Sequence, residues 1–186
     1  MNDSLTVKKK TIRVFFAIKP DDAALKQLAH LTKQLKSTCN GKYIKKANIH
    51  LTLVFLGEIA IDQLNLIRSA MNSITAPAFN FSVDKIGYWK PNKIIFAGPN
   101  KCVPELLALV TNLQSTLSAI GLAYDSRTYK PHITLARKAK PIQVITALAL
   151  PISWRVTEWF LIQSKQTDLG MNYIPLDRWQ LSHFSS

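Results

Sequence analysis

Two segments of the sequence carry a histidine and a threonine that are separated by one apolar residue. His50 and Thr52 lie in the largely apolar segment 49–57, and His132 and Thr134 lie in segment 131–137. Side chains alternate between the two faces of a β-strand, so each histidine shares a face with its threonine. Two imidazoles can act as base and acid near neutral pH, and threonine hydroxyls can donate hydrogen bonds to phosphate oxygens. The pattern therefore predicts acid–base chemistry on a phosphodiester.

The repetition of the motif carries more weight than either copy alone. A single histidine in a strand is more often structural than catalytic, and a short motif match is only a hypothesis. The chain contains only 4 histidines, however, and two of them stand in the same pattern. We therefore interpret His50 and His132 as a catalytic pair whose strands face each other across a groove.

Neither a metal nor another cofactor is predicted. Two histidines without a carboxylate in their motif provide too few ligands for zinc. Cys39 and Cys102 stand alone, without the Cys-x-x-Cys or Cys/His spacing of a zinc or redox site. The sequence therefore predicts metal-independent catalysis.

The rest of the chain predicts the strands and helices that position the motifs. Leu51, Leu53 and Phe55 are expected on the face opposite the first histidine, and Ile133 and Leu135 on the face opposite the second. Further strands are predicted at residues 12–18, 79–83, 85–89, 93–98, 152–156, 158–164, 172–176 and 179–181. A first helix is predicted from residues 21–22 to about residues 37–41, with others at residues 61–73, 104–120 and 141–150.

The order of these elements predicts an α+β fold. The turn at Pro91 and Asn92 is so short that the strands on either side of it must pair antiparallel. A half rich in strand–helix units precedes this hairpin and another follows it, and each half contributes one motif strand. We expect two pseudo-symmetric lobes with antiparallel-rich sheets that face a central groove, with helices on the outside. Residues 1–10 are interpreted as a flexible basic tail, and residues 11–186 as a single bilobal domain.

The charge of the chain favours polyanionic partners. Lysine and arginine total 24 against 11 acidic residues, which gives a net charge of +13. Such a balance attracts nucleic acid, although charge alone does not distinguish RNA from DNA. The first residues lack the apolar core of a secretory signal, and no apolar run reaches the length of a membrane span. A cytoplasmic monomer that does not bind membranes is therefore expected.

The two motifs and their flanks resemble the 2H phosphoesterases, a family named for two His-x-Thr/Ser motifs on two similar lobes. The resemblance lies in residues 14–18, 49–57, 129–137 and 173–176, and it points to the bacterial RNA 2′,3′-cyclic phosphodiesterases, also called 2′-5′ RNA ligases. It implies hydrolysis of RNA 2′,3′-cyclic phosphate ends to 2′-phosphates, with His50 as the general acid and His132 as the base that activates water. It also implies that Thr52 and Thr134 hold the phosphate, and that the reverse reaction joins RNA ends through a 2′-5′ linkage.

Residues near the motifs are expected to add further contacts. Arg137 matches an arginine that the family places after the second motif, but strict alternation puts it opposite His132, so only a twist or a bulge brings it to the phosphate. Arg127 and Lys130 are candidate cations for an RNA strand. Many family members carry a tryptophan and a proline before the first motif, whereas this chain has Tyr43, which could stack on a base.

Two alternatives stay open from the sequence. A basic groove could bind RNA ends without turning them over, although that role gives no reason for two matched His-x-Thr strands. The enzyme could instead act on a small cyclic nucleotide, such as an ADP-ribose cyclic phosphate, or on a 2′-5′ oligoadenylate. Salt dependence separates a long RNA from a mononucleotide, because each phosphate contact makes binding more sensitive to salt.

Overall fold

The computed structural model describes residues 9–36, 40–140, 146–168 and 170–182. Within these ranges the strands are β1 (Thr11–Ile18), β2 (Lys42–Tyr43), β3 (Leu51–Ala60), β4 (Phe79–Trp89), β5 (Ile94–Gly98), β6 (Ile133–Arg137), β7 (Thr146–Val156), β8 (Glu158–Thr167) and β9 (Gly170–Gln180). The helices are α1 (Asp22–Leu35), α2 (Leu64–Met71) and α3 (Pro104–Ala119), with short 3₁₀ turns at Lys46–Asn48 and Ile61–Gln63.

The strands form one sheet in the order β7-β4-β5-β6-β3-β1-β8-β9, with β2 paired to β6. Two four-stranded halves meet where β3 lies beside β6, at the residue pair Leu51 and Ile133. The predicted α+β architecture with two antiparallel lobes is confirmed. The lobes are not simply the two halves of the chain, however, because β8 returns to pair with β1 and β9 then pairs with β8. The last two strands therefore complete the lobe that carries the first motif.

The helices cover the face of the sheet opposite the motif histidines. α1 contacts β7, and α3 contacts both α2 and β3. Leu51, Leu53, Ile133 and Leu135 are buried in the main hydrophobic core beneath the helices, as predicted. Burial of such apolar surface stabilises the fold by roughly 25 cal/mol per Å². The motif face is left uncovered by helices at the junction of the two lobes.

A bulge in β3 changes which residues face the motif. Thr52 and Val54 both have partners in β1, and Leu53 between them has none. An extra residue of this kind shifts the alternation of side chains by one position. Leu53 and Val54 are consequently both buried in the main core, while Phe55 packs against Phe15 in a small separate cluster. The prediction that Phe55 lies opposite the histidine is therefore wrong.

An equivalent bulge follows the second motif. Thr134 and Ala136 pair with successive residues of β5, and Leu135 is the extra residue between them. Leu135 and Ala136 are both fully buried, and Arg137 is exposed. The bulge shifts Arg137 from the core face to the face that carries His132. The orientation of Arg137 expected from strict alternation is thus wrong. The structure contains the bulge that was predicted as one way to bring Arg137 to the face of His132.

Residues 146–150 are not helical, contrary to the prediction. They form the first part of β7, in which Ala147 pairs with Lys85 of β4, and the strand continues through Pro151 rather than breaking there. Pairing with β4 outweighs the weak helical preference of this segment, since tertiary contacts commonly override propensity. β7 lies at the end of the strand order, where a proline without an N–H is tolerated. Residues 141–145 of the predicted helix lie outside the described residues.

The other predicted strands and helices are confirmed to within a few residues. The two strands predicted between residues 79 and 89 form the single strand β4, and the two predicted between residues 172 and 181 form the single strand β9. Of the tail predicted to be flexible, residues 1–8 lie outside the described ranges. Lys9 forms an ion pair of 2.8 Å with Asp62, and the carbonyl of Lys10 accepts a hydrogen bond from Ile61. No helix in the described part of the chain is long and apolar enough to cross a membrane.

Candidate active site

Each motif histidine lies one residue before its strand begins. His50 precedes β3 and His132 precedes β6. The two strands run antiparallel, so the register at their junction puts His50 beside Thr134 and Thr52 beside His132. The motifs are thus related by an approximate two-fold axis, and both histidines lie on the same face of the sheet.

The two imidazoles are oriented by the same backbone contact. His50 Nδ1 lies 2.7 Å from the carbonyl oxygen of Asn48, and His132 Nδ1 lies 2.7 Å from that of Lys130. A carbonyl oxygen only accepts a hydrogen bond, so Nδ1 carries the hydrogen in both rings. The Thr52 hydroxyl is 3.0 Å from His50 Nε2 and donates to it. Both histidines therefore keep Nε2 for the exchange of a proton.

The surroundings keep both imidazoles neutral in the free protein. Burial is the main cause that lowers the pKa of His50 to about 4, and the Asn48 carbonyl opposes it. The charges of Arg137 and Lys19, and a proton on His132 when one is bound there, lower the pKa of His50 further. Burial and the charge of Arg137 also lower the pKa of His132, against the Lys130 carbonyl. An anion bound between the histidines would oppose these effects by stabilising the protonated forms.

Aromatic rings flank both histidines. The His50 ring lies 4.9 Å from the Phe15 ring and 5.0 Å from the Tyr173 ring, measured between centroids. The His132 ring lies 4.4 Å from Trp89 and 6.1 Å from Phe96. The sequence predicts these aromatics as strand residues, and Phe15 and Tyr173 lie in segments of the resemblance, but none of the four is predicted beside a histidine. Their place beside the histidines follows from the pairing of distant strands, such as that of Phe96 with Thr134, which no local pattern reveals.

Two cations act on the site. The Arg137 charge lowers the pKa of both histidines, and the Lys19 charge lowers that of His50. Within the described ranges, the Arg137 guanidinium forms neither a hydrogen bond nor an ion pair. Lys19 lies with its ammonium 5.0 Å from the centre of the Phe160 ring. Arg137 was selected from the sequence, whereas Lys19 was missed because it stands just after a strand without a motif.

The other residues selected from the sequence have different surroundings. The Tyr43 hydroxyl donates to the carbonyl of Leu35 over 2.9 Å, and the Lys36 ammonium lies 5.6 Å from the ring centre. Arg127 pairs with Asp125 in the loop before β6, and this contact lowers the pKa of the Asp125 carboxyl. Lys130 is exposed at the entrance to β6. The contacts of these three residues with RNA stay predictions. Tyr43 and Arg127 already have partners within the protein, so a contact with RNA would compete with those partners.

Known proteins with the same arrangement were found by sequence and by structure. A family model described as LigT like Phosphoesterase matches residues 18–96. The RNA 2′,3′-cyclic phosphodiesterase of Escherichia coli K12 is 29% identical over 170 residues, which cover 91% of this chain and 97% of that protein. The enzyme of the same name from Archaeoglobus fulgidus is 27% identical over 130 residues, which cover 68% of this chain and 72% of that protein.

The crystal structure of E. coli LigT complexed with 3′-AMP superposes with a TM-score of 0.86 at 29% identity, over 93% of this chain and 99% of LigT. These similarities in sequence and fold support the 2H phosphoesterase superfamily, in its cyclic phosphodiesterase branch. The match to the family model contains only the first His-x-Thr motif, but the alignment to the E. coli relative spans both. The chain therefore shares with these proteins the fold that brings its two motif strands together.

Within the described residues, no three His, Cys, Asp or Glu side chains gather as a metal site.

Proposed function

We propose that this chain hydrolyses the 2′,3′-cyclic phosphate at the end of an RNA strand to a 2′-phosphate. The observation that carries the proposal is the pair of equivalent imidazoles, each with Nδ1 bonded to a carbonyl and Nε2 left for proton exchange. The names of the E. coli and A. fulgidus relatives support the substrate, since both are RNA 2′,3′-cyclic phosphodiesterases. The net charge of +13 supports a polyanionic partner.

The reaction assigned to this site transfers two protons. His132 Nε2 takes a proton from water as the water oxygen forms a bond to phosphorus. The bond from phosphorus to the 3′ oxygen breaks, and protonated His50 gives its proton to that oxygen. The phosphate stays on the 2′ oxygen, and the two histidines end with their protonation states exchanged. Positioned proton transfer of this kind contributes about 10² to 10⁴ in rate.

The acid role requires His50 to gain a proton before the reaction. In the free protein its lowered pKa leaves it neutral at pH 7. Binding of the anionic phosphate between the two imidazoles raises the pKa, because an adjacent negative charge favours imidazolium. Substrate binding thus favours protonation of His50, which then acts as the acid. Two bound protons would be discouraged by the repulsion between the histidines, which leaves one acid and one base.

The phosphate oxygens are assigned to the threonines and Arg137. The Thr52 hydroxyl, which donates to His50 Nε2 in the free protein, can turn to a non-bridging oxygen once Nε2 is protonated. Thr134 holds the equivalent position in the second motif. Arg137 supplies a positive charge that lowers the pKa of both histidines. Donors aimed at charge that grows in the transition state are among the largest contributions to catalysis. No metal ion is assigned a role.

Ligation of RNA ends uses the same two groups. A 5′-hydroxyl in place of water would open the cyclic phosphate and yield a 2′-5′ linkage without ATP. We also propose that the chain acts as a monomer in the cytoplasm, as the sequence predicts.

The test is the hydrolysis of a short RNA that ends in a 2′,3′-cyclic phosphate, in EDTA, with 2′-phosphate and 3′-phosphate products resolved. Wild type should yield the 2′-phosphate, His132→Ala should yield none, and His30→Ala on the exposed side of α1 should match wild type. A 3′-phosphate product, or activity that EDTA abolishes, would contradict the mechanism. A parallel titration of salt with RNA and with a cyclic mononucleotide should weaken only the RNA reaction strongly.

A further inference from the structure

A recess of about 280 Å³ adjoins His132 on the motif face of the second lobe. Its lining includes Lys85, Trp89, Phe96, Asn100, Tyr129 and Lys130. A larger cavity of about 410 Å³ lies between α1 and β7, and none of its lining residues contacts a motif histidine. The smaller recess is the one whose lining includes residues that contact His132.

The recess shares its walls with the groups that orient His132. Trp89 and Phe96 line it and flank the His132 ring, with Trp89 at 4.4 Å between centroids. Lys130 also lines it, and its carbonyl accepts the hydrogen bond from His132 Nδ1. A molecule in the recess would thus lie within reach of a phosphate held between the histidines, on the side of His132 rather than that of His50.

The composition of the recess suits one nucleoside. Aromatic side chains offer flat surfaces on which a base can stack, and the lysines favour the phosphates of a nucleotide. Its volume lies at the lower end of small-molecule sites, which is suited to a single base and sugar rather than to an oligonucleotide. Trp89 is half-exposed, so part of its ring is accessible from the groove.

We propose that this recess binds the nucleoside that carries the 5′-hydroxyl when the site forms or breaks a 2′-5′ phosphodiester. The inference rests on the proposed function and assigns it a second subsite. The attacking and leaving oxygens lie on opposite sides of phosphorus in an in-line displacement. The leaving 3′ oxygen belongs to the cyclic nucleoside and lies at His50, so a nucleoside that supplies the attacking oxygen lies beyond His132.

The step is balanced without a further reactant. In the forming direction, the 5′ oxygen bonds to phosphorus and its proton passes to His132 Nε2. The bond to the 3′ oxygen breaks, and His50 gives that oxygen a proton. In the breaking direction, the 3′-hydroxyl attacks, His50 takes its proton, and protonated His132 gives one to the departing 5′ oxygen. The products are a 2′,3′-cyclic phosphate and a free 5′-hydroxyl.

The experiment compares two substrates that differ only in the second nucleoside: adenosine 2′,3′-cyclic phosphate and the 2′-5′-linked dinucleotide of adenosine. Wild type should open the cyclic phosphate and cleave the dinucleotide. Asn100→Trp, which fills the recess, and Lys85→Glu, which reverses its charge, should lower kcat/KM for the dinucleotide by about tenfold more than for the cyclic phosphate. Asn92→Trp in the β4–β5 turn and Lys26→Glu on α1 are the matched controls, and neither should change the ratio.

The possible outcomes separate the assignment of the recess from the proposed function. Equal losses on both substrates, or no loss from either variant when both are folded by thermal melting, would overturn the assignment of the recess. A wild type that hydrolyses the cyclic phosphate but does not cleave the dinucleotide would overturn this inference and leave the proposed function intact. A wild type without activity on the cyclic phosphate, also when it ends a short RNA, would overturn both.

Discussion

Leu51 lies directly opposite Ile133 at the junction of β3 and β6. Both side chains are fully buried on the core face, so the residues on either side of each must project to the other face. A slip of one residue would expose both apolar side chains and bury the histidines, so the hydrophobic core itself fixes the register of the two motifs. The alignment of His50 with Thr134 and of Thr52 with His132 follows from that constraint.

Replacement of either motif histidine should abolish turnover without unfolding the chain. We expect His50→Asn and His132→Asn each to lower kcat for the cyclic phosphate by about 10² to 10⁴, because each removes one proton transfer. The double variant should be little worse than either single one, since acid and base act as a unit. His30→Asn is the matched control. A single variant that keeps near wild-type kcat would refute the two-histidine mechanism.

Loss of Arg137 should change both phosphate binding and the pH dependence. Its charge lowers the pKa of both histidines, so Arg137→Ala should move the acidic limb of the rate profile to higher pH. The Michaelis constant should rise as well, because a charge-assisted contact to the phosphate is lost. Arg155→Ala, at an exposed position of β7, is the control. A raised Michaelis constant with an unmoved pH profile would show that Arg137 acts at a distance from the histidines.

The stability of the free protein should fall on acidification through the titration of His50. Its pKa is lowered from 6.5 to about 4 in the folded state, so the unfolded chain binds the proton more readily. The free energy of unfolding should therefore fall as pH drops from about 6.5 towards about 4, by up to ~3 kcal/mol from this group. Urea titrations of wild type and His50→Asn measure it, and the variant should lose less stability. Equal losses would mean that His50 is accessible to water.

A bound phosphate should reverse that pKa shift. Addition of adenosine 2′-monophosphate places an anion between the imidazoles and should raise the pKa of His50, as followed by NMR of the ring protons. The ring signals of His30, on the exposed side of α1, are the internal control and should not move on addition of the nucleotide. An unchanged His50 titration in the saturated complex would argue that the phosphate lies elsewhere.

Tyr129 should connect the second motif loop to the first motif strand. Its buried hydroxyl, whose pKa is raised by desolvation, donates to the carbonyl of Thr52 over 3.1 Å. Tyr129→Phe should cost about 1 kcal/mol of stability and also lower kcat, because the bond joins the two lobes at the site. Tyr88→Phe loses a bond of the same length, to Ala139, and should lower stability alone. Equal kcat values for both variants would show that the Tyr129 bond is only structural.

The sequence alone determined the parts of this protein that depend on local periodicity and residue chemistry. His50, Thr52, His132 and Thr134 could be selected because one strand period places each pair on a common face. The helix at residues 104–120 and the hairpin before it were likewise predictable, since their signals lie within a few residues of one another.

Only the tertiary structure decided the features that depend on pairing between distant segments. The bulges at Leu53 and Leu135 arise from register against β1 and β5, and they turn Phe55 and Arg137 towards the motif face. Residues 146–150 begin a strand because β4 pairs with Thr146 and Ala147, and β8 completes the first lobe from the far end of the chain. The physical reason is common to these cases: hydrogen bonds between strands are satisfied by partners that local sequence does not specify.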